Sequence, residues 1–301
     1  MSLTVIIVSY NVKKLLEVAI DSVLRTYPDK NLQIIVVDNG SSDGSPDLVA
    51  KKFPRVKLIQ SRENKGFSSG NNLARPFTKG EVILFLNPDT KVEGQAIKKC
   101  LDILTQNSRL GAVTCKVLLP NGKIDYSCHR GLPTVWNTFC YWTGLSKLFP
   151  KSGIFSGYNA SFKAIDTSHE IDCASGTFLM IRKNILDDLN WWDEDYYWNG
   201  EDIEMFYRLR RAGWKVWYEA SEHIVHYKGS SSGLWTTKAV DVPVSTQIRS
   251  AKSAAMAMRI FVTKHKKELG SAFTMAVVSL GIYLLEKYRL WKISAGKDYA
   301  K

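Results

Sequence analysis

The sequence predicts an α/β fold in which a mostly parallel sheet carries helices on both faces. Continuous β-branched runs alternate with amphipathic helical spacings, the pattern of strands buried on both sides. Each of the early strands also ends in a polar cluster, and ligands of such sheets bind beyond the carboxyl ends of the strands. With 301 residues, 45% apolar and 23% charged, the chain can bury a substantial core.

The first strand spans residues 3–8 and ends in Ser9-Tyr10-Asn11. Leu15, Leu16, Ala19, Ile20 and Val23 then line one side of a helix. A second strand at 33–37 stops at Asp38-Asn39-Gly40-Ser41, and a helix at 46–53 leads to a short strand at 56–59. A polar glycine loop fills 62–70, a helix begins near Asn71, and a strand at 81–86 ends at Asn87-Pro88-Asp89. Past Thr90 the alternation loosens: a helix at 96–104, a strand at 111–118 and a turn at 120–123. Residues 131–158, rich in Trp, Tyr and Phe, read as a loop-rich excursion over the site or toward a greasy partner. A strand at 177–181, a helix at 202–212 and a strand at 214–218 complete a domain of residues 1–233, read as two halves, 1–90 with the regular alternation and 91–233 beyond it.

Lys and Arg number 41 against 29 Asp and Glu, a net +12. Residues 234–301 hold 12 of those cations and 4 acids, so the tail carries +8 and the rest only +4. Five cysteines, odd in number and never in a C-x-x-C spacing, argue for reduced thiols in a cytoplasmic protein. The amino terminus lacks a basic n-region and reads as a strand, not a signal peptide. In the tail, Ile248, Ala251, Ala255, Met258 and Val262 have helical spacing, and 17 uncharged residues follow at 269–285. A helix of that length covers roughly 25 Å, short of a ~30 Å hydrocarbon core. The tail therefore reads as a basic and apolar helical extension that lies on an anionic membrane surface, forms homo-oligomers, or packs on the domain.

Asp38 is placed to accept from a base or ribose, although the same stretch is also a plain turn before a capped helix. Asp89 suits a divalent cation, because hard cations prefer carboxylate oxygen. One carboxylate is not a site, and His226 is the next ligand sought, with His223 as the competing choice. Residues 191–202 concentrate five carboxylates and five aromatics before a helix. Asp202 there is either an N-cap or a general base beside aromatic walls. Arg208, Arg210 and Arg211 are fixed cations able to hold a leaving diphosphate, or are in part simply solvated.

Taken in order, these segments, with Asn64-Lys65-Gly66 through Asn71 and Ser175-Gly176-Thr177, resemble the family 2 inverting glycosyltransferases of the GT-A fold, a Rossmann-like α/β architecture. The resemblance spans residues 3 to about 233 and is nearest to the rhamnosyltransferase-like branch that builds cell-surface polysaccharides. It implies that Ser9, Tyr10, Asn11 and Asp38 hold the donor nucleotide, with Asn64, Gly66 and Asn71 closing the pocket. Asn87 would bind the nucleotide-sugar, and Ser175 and Gly176 would line the donor-sugar and acceptor cleft. Asp89, where many relatives carry the second acid of Asp-x-Asp, and His226 would hold Mg²⁺ or Mn²⁺. Asp202 would be the catalytic base, Glu201 the second choice, and Arg208 a stabiliser of the leaving diphosphate. The implied partners are a dTDP- or UDP-sugar, rhamnose favoured, and a lipid-linked or polysaccharide acceptor, met on the inner face of the cell membrane.

Two other readings compete. A sugar nucleotidyltransferase would share the sheet, but the early Gly-x-Gly-x-x-Arg loop is missing. A catalytically inactive, nucleotide-sugar-binding scaffold would keep the fold and lose Asp89, Asp202 or His226, which are all present. Nucleic acid is not expected as a partner, since the charge sits in an apolar tail without a recognition motif.

Overall fold

A computed structural model describes residues 1–227 and 244–295. The first half runs β1 (Leu3–Ser9), α1 (Lys13–Thr26), β2 (Leu32–Asp38), α2 (Ser45–Lys52), β3 (Lys57–Gln60), α3 (Gly66–Leu73) and β4 (Val82–Leu86). Then come β5 (Thr90–Val92), α4 (Ala96–Gln106), β6 (Leu110–Leu118), α5 (Val135–Thr143), α6 (Leu145–Leu148), β7 (His169–Ile171), β8 (Phe178–Arg182) and α7 (Lys183–Asp188). Helix α8 (Glu201–Arg211), β9 (Lys215–His226), α9 (Val244–Lys264), α10 (Lys266–Leu269) and α11 (Ala272–Ser294) follow.

One sheet orders the strands β3-β2-β1-β4-β8-β6-β9-β5, with β7 added on β9. The half β3-β2-β1-β4 is wholly parallel, and β6 and β9 are parallel too, while β8 runs antiparallel between β4 and β6. Every residue of β4 is buried, as an apolar run covered on both faces requires. Helix α1 buries Leu16, Ala19, Ile20 and Val23, the face its spacing predicted. All five cysteines are buried free thiols, and burial pushes Cys128 and Cys173 up to about 12.

Four expectations need correction. Helix α3 starts at Gly66, not near Asn71, because the Asn64 side chain accepts from the Gly66 N–H at 2.9 Å and turns the chain inside the glycine loop. The aromatic excursion holds two helices: Thr134 caps α5 by accepting from Asn137 N–H, while Trp136, Phe139 and Trp142 on one face hide the usual polar periodicity. Strand β9 extends to His226 instead of ending at Tyr218, because its register on β6 jumps between Glu219 and His223 and its end then pairs with β5. Short β5, β7 and α7 follow no strong periodicity and escaped the sequence reading.

The expected boundary at 233/234 lies outside the described residues. Helix α9 packs on the domain, burying Ala251, Ala255, Ala257 and Phe261, so the packed reading of the tail holds for this helix. Helix α11 lies against α9, with Arg259 and Glu286 paired at 2.5 Å. Among the described residues no helix is long and apolar enough to cross a membrane.

Candidate active site

The parallel strands deliver their polar ends side by side. Ser9 and Asp38 are register partners at the ends of β1 and β2, and Asn39 N–H donates to the Ser9 carbonyl at 2.8 Å. One Asp38 oxygen accepts from the N–H groups of Gly40 and Ser41, at 3.2 and 3.0 Å. Its other oxygen is buried with no hydrogen-bond partner among the described residues, as are Ser9 Oγ and Asn39 Oδ1. Unmet acceptors and a hydroxyl at one strand edge are what a base or ribose would satisfy. Asn11, in the left-handed region at φ 52°, accepts from Ser42 N–H at 2.8 Å and fixes the neighbouring loop, while Tyr10 is exposed.

Helix α3 closes this corner. Asn39 Nδ2 donates to the Gly66 carbonyl at 2.8 Å, and buried Asn71 donates to the Phe67 carbonyl at 2.9 Å. Gly66 has φ +81°, and a Cβ there would lie 2.3 Å from the Tyr197 carbonyl oxygen, so only glycine fits. The loop before Asp202 thus presses directly on the loop that opens α3.

Residues 174–177 join the remaining parts. Asn87 N–H donates to the Thr177 carbonyl at 3.1 Å, and Ser175 Oγ donates to Thr177 Oγ1 at 3.0 Å. Across from them, a Cβ on Gly176 would meet the Phe67 ring at 3.2 Å and the Trp192 ring at 3.5 Å. Arg130 donates through Nη2 both to the Ala174 carbonyl, at 3.2 Å, and to Asp202 Oδ2, at 2.8 Å. Asp202 Oδ1 accepts from Ile203 N–H at 2.8 Å. Burial works against the Arg130 charge, but Asp202, Cys173 and Tyr158 together outweigh burial and raise the guanidinium pKa. Next door, Glu201 Oε2 is buried with no partner among the described residues, and burial, then the Asp202 charge, push this carboxyl up to about 8.

Asp89 and His226 meet as expected. They lie across the β5–β9 pairing, with His226 Nε2 at 3.2 Å from Asp89 Oδ1 and Nδ1 at 3.3 Å from Asp125 Oδ2. Burial pulls the imidazole pKa down, yet the two carboxylates outweigh it and hold it up at about 9. A doubly protonated ring has no lone pair for a cation, so a metal would replace the Nε2 proton, with Asp125 left orienting the ring through Nδ1. Among the described residues no group of three His, Cys, Asp or Glu is placed to hold a metal alone. One carboxylate and one imidazole do suit an ion whose other ligands are phosphate oxygens.

His223 is not at this centre; it pairs with Glu93 at 3.2 Å. Arg208 is also elsewhere engaged. Its guanidinium donates to the carbonyls of Leu189 and Trp191 and faces Glu204 at 3.4 Å, so it ties down the loop 189–191 instead of standing ready for a diphosphate. Arg210 and Arg211 pair with Asp172 and Glu268. Sequence reading missed Arg130 and Asp125. The first sits at the mouth of an aperiodic stretch and the second behind a turn, and only strand pairing brings them to Asp202 and His226.

The model of the family described as glycosyl transferase family 2 matches residues 4–189. The N-acetylglucosaminyl-diphospho-decaprenol L-rhamnosyltransferase of Mycobacterium tuberculosis is 25% identical over 217 residues, which cover 68% of this chain and 69% of that protein. Among solved structures, the mannosyltransferase PcManGT of Pyrobaculum calidifontis, in complex with GDP-Man and Mn²⁺, has a TM-score of 0.58 at 17% identity, covering 97% of this chain and 73% of that one. TarS of S. aureus, residues 1–349 with UDP, has a TM-score of 0.54 at 17% identity, covering 86% and 65%. The shared architecture is the GT-A fold, and this chain adds to it the helical C-terminal segment α9–α11.

Proposed function

Because the chain belongs to glycosyl transferase family 2, we propose that it moves a sugar from a nucleoside-diphosphate sugar to a hydroxyl of a lipid-diphosphate-linked saccharide, with inversion at the anomeric carbon. Rhamnose carried by dTDP is the favoured donor, in keeping with the mycobacterial relative's name, and a UDP-sugar is the next. The observation that carries the reading is the fork of Arg130, which holds Asp202 and the 174–177 segment together beside Asn87 and Asp89.

In this reading Ser9, Asp38 and Asn39 meet the nucleoside with their unmet polar atoms, while Asn64, Gly66 and Asn71 shape the wall behind it. Asp89 and His226 would hold Mg²⁺ or Mn²⁺, which would neutralise charge on the diphosphate. Arg130, bound to Oδ2 at 2.8 Å, keeps the Asp202 carboxylate aimed. The acceptor hydroxyl gives its proton to the Asp202 carboxylate as its oxygen bonds to the anomeric carbon, and the bond to the diphosphate oxygen breaks on the opposite side. Arg208 acts by positioning loop 189–191. Glu201 is the second reading for the base, favoured by its unpartnered buried oxygen and its pKa near neutrality.

A thermal-shift panel of nucleoside diphosphates and nucleotide-sugars, with and without Mn²⁺, tests the donor class. A ligand at a hundredfold its Kd adds about 2.7 kcal/mol of stability, a readily measured shift. The expected outcome is selective stabilisation by dTDP or UDP compounds, strengthened by the metal. Indifference to every member of the panel would defeat the reading.

A further inference from the structure

Two separate parts of the chain leave large apolar side chains in solvent, and they touch each other. On α11, Phe273, Val277, Leu280, Leu284 and Tyr288 are all more than half exposed, Phe273 at 79%. Their spacing of three to four residues makes them one stripe, and the opposite side of the helix carries buried Ile282 and Ile293. On α5, Trp136 and Phe139 stack at 5.7 Å and are about half exposed, and Leu148 and Ile154 stand out beyond them. Trp142, on the same face of α5, closes on Gly281 of α11: a Cβ there would lie 3.1 Å from the indole. The two stripes therefore form one surface, far more apolar than the scattered exposed residues of an ordinary monomer.

Charge selects the occupant. Lys287 and Lys292 extend over the rings of Tyr283 and Tyr288, at 5.5 and 6.0 Å, and Lys147 and Lys151 border the α5 side. Residues 234–301 carry a net +8. A second copy docked by two-fold symmetry would set this basic rim against itself. A bilayer with anionic headgroups instead takes the apolar stripe into the interface and meets the ammonium groups at the headgroups, with Tyr and Trp at the boundary.

We propose that α11 and the aromatic face of α5–α6 together form a membrane-docking surface for anionic lipid, lying in the plane of the bilayer. Helix α9 is the buried strut that fixes this surface to the catalytic part, through Ser253 to the Trp198 carbonyl at 2.5 Å and Lys264 to Asp193 and Asp195. Tyr141 of α5 packs on Tyr158 at 5.1 Å, and Tyr158 neighbours Arg130, so the surface adjoins the side from which an acceptor reaches Asp202.

The test is flotation of the full chain with phosphatidylcholine vesicles, with and without phosphatidylglycerol, comparing wild type with Phe273→Ser/Leu280→Ser/Leu284→Ser and with Trp136→Ser/Phe139→Ser. Wild type should float only with the anionic vesicles, and each variant should lose at least about tenfold in binding. Both variants should keep nucleotide binding, which separates this result from any failure of the catalytic reading. No flotation of wild type, equal flotation with neutral vesicles, equal flotation of either variant and wild type, or a dimer in solution that the variants convert to monomer would overturn the proposal.

Discussion

Around Asp202, neighbouring side chains hold opposite charge states. Arg130 is kept charged by the carboxylate it binds, whereas Glu201 keeps its proton. Folded Glu201 titrates at about 8, against an ordinary 4.5, so the folded state binds the extra proton between those values and stability falls as pH rises through that window. Glu201→Gln should therefore melt above wild type at about pH 9, by roughly 1–3 kcal/mol, and match it at about pH 4. Coincident melting curves at the higher pH would contradict it. Arg130→Ala leaves a carboxylate without its partner and should cost about 3 kcal/mol in a denaturant melt, part of which the double variant with Asp202→Asn should recover. At this scale the sequence made Ser9, Asp38, Asp89 and Asp202 legible, because strand ends and helix starts announce themselves. Arg130 and Asp125 were not, because each acts through a partner 72 or 101 residues away.

The elements show the same division. Strands β1, β2 and β4 and helices α1 and α4 follow their apolar periodicity to within about two residues, since burial on a sheet face decides them. Helix α5 and the far half of β9 were hidden, the first by its outward aromatic face and the second by a register jump. Helix α9 is the least anticipated contributor. Glu204 of α8, buried, accepts from Tyr196 at 3.0 Å and meets His265, just past α9, at 2.9 Å. Gly200, at φ +89°, lets Ala257 approach: an added Cβ would come within 2.8 Å. The loop that presents Asp202 is thus braced from the tail. Phe261→Ala, next to Tyr207 at 5.1 Å, should cost about 3 kcal/mol and lower turnover with it. A loss below about 0.5 kcal/mol would mean that α9 does not brace the loop. Truncation before α9 removes this brace together with α11, so point variants are the cleaner probe of the docking surface.

For the whole molecule, the net +12 resolves into local uses. Arg130 serves one carboxylate, Arg208, Arg210 and Arg211 hold loops and helices together, Lys264 ties α9 to Asp193 and Asp195, and Lys287 and Lys292 lie over exposed rings of α11. Residues 174–177 touch Arg130, which holds Asp202, and Asn87, two residues before the Asp89 that meets His226, which is the arrangement the proposed transfer needs. The most direct measurement of that account is nucleoside-diphosphate release from the donor that stabilises the protein most, compared between wild type and Asp202→Asn, with binding measured in parallel. Turnover should fall by about two to four powers of ten while donor affinity stays within a few fold. Near-wild-type turnover by Asp202→Asn, with Glu201→Gln inactive, would move the base to Glu201 and contradict the central assignment.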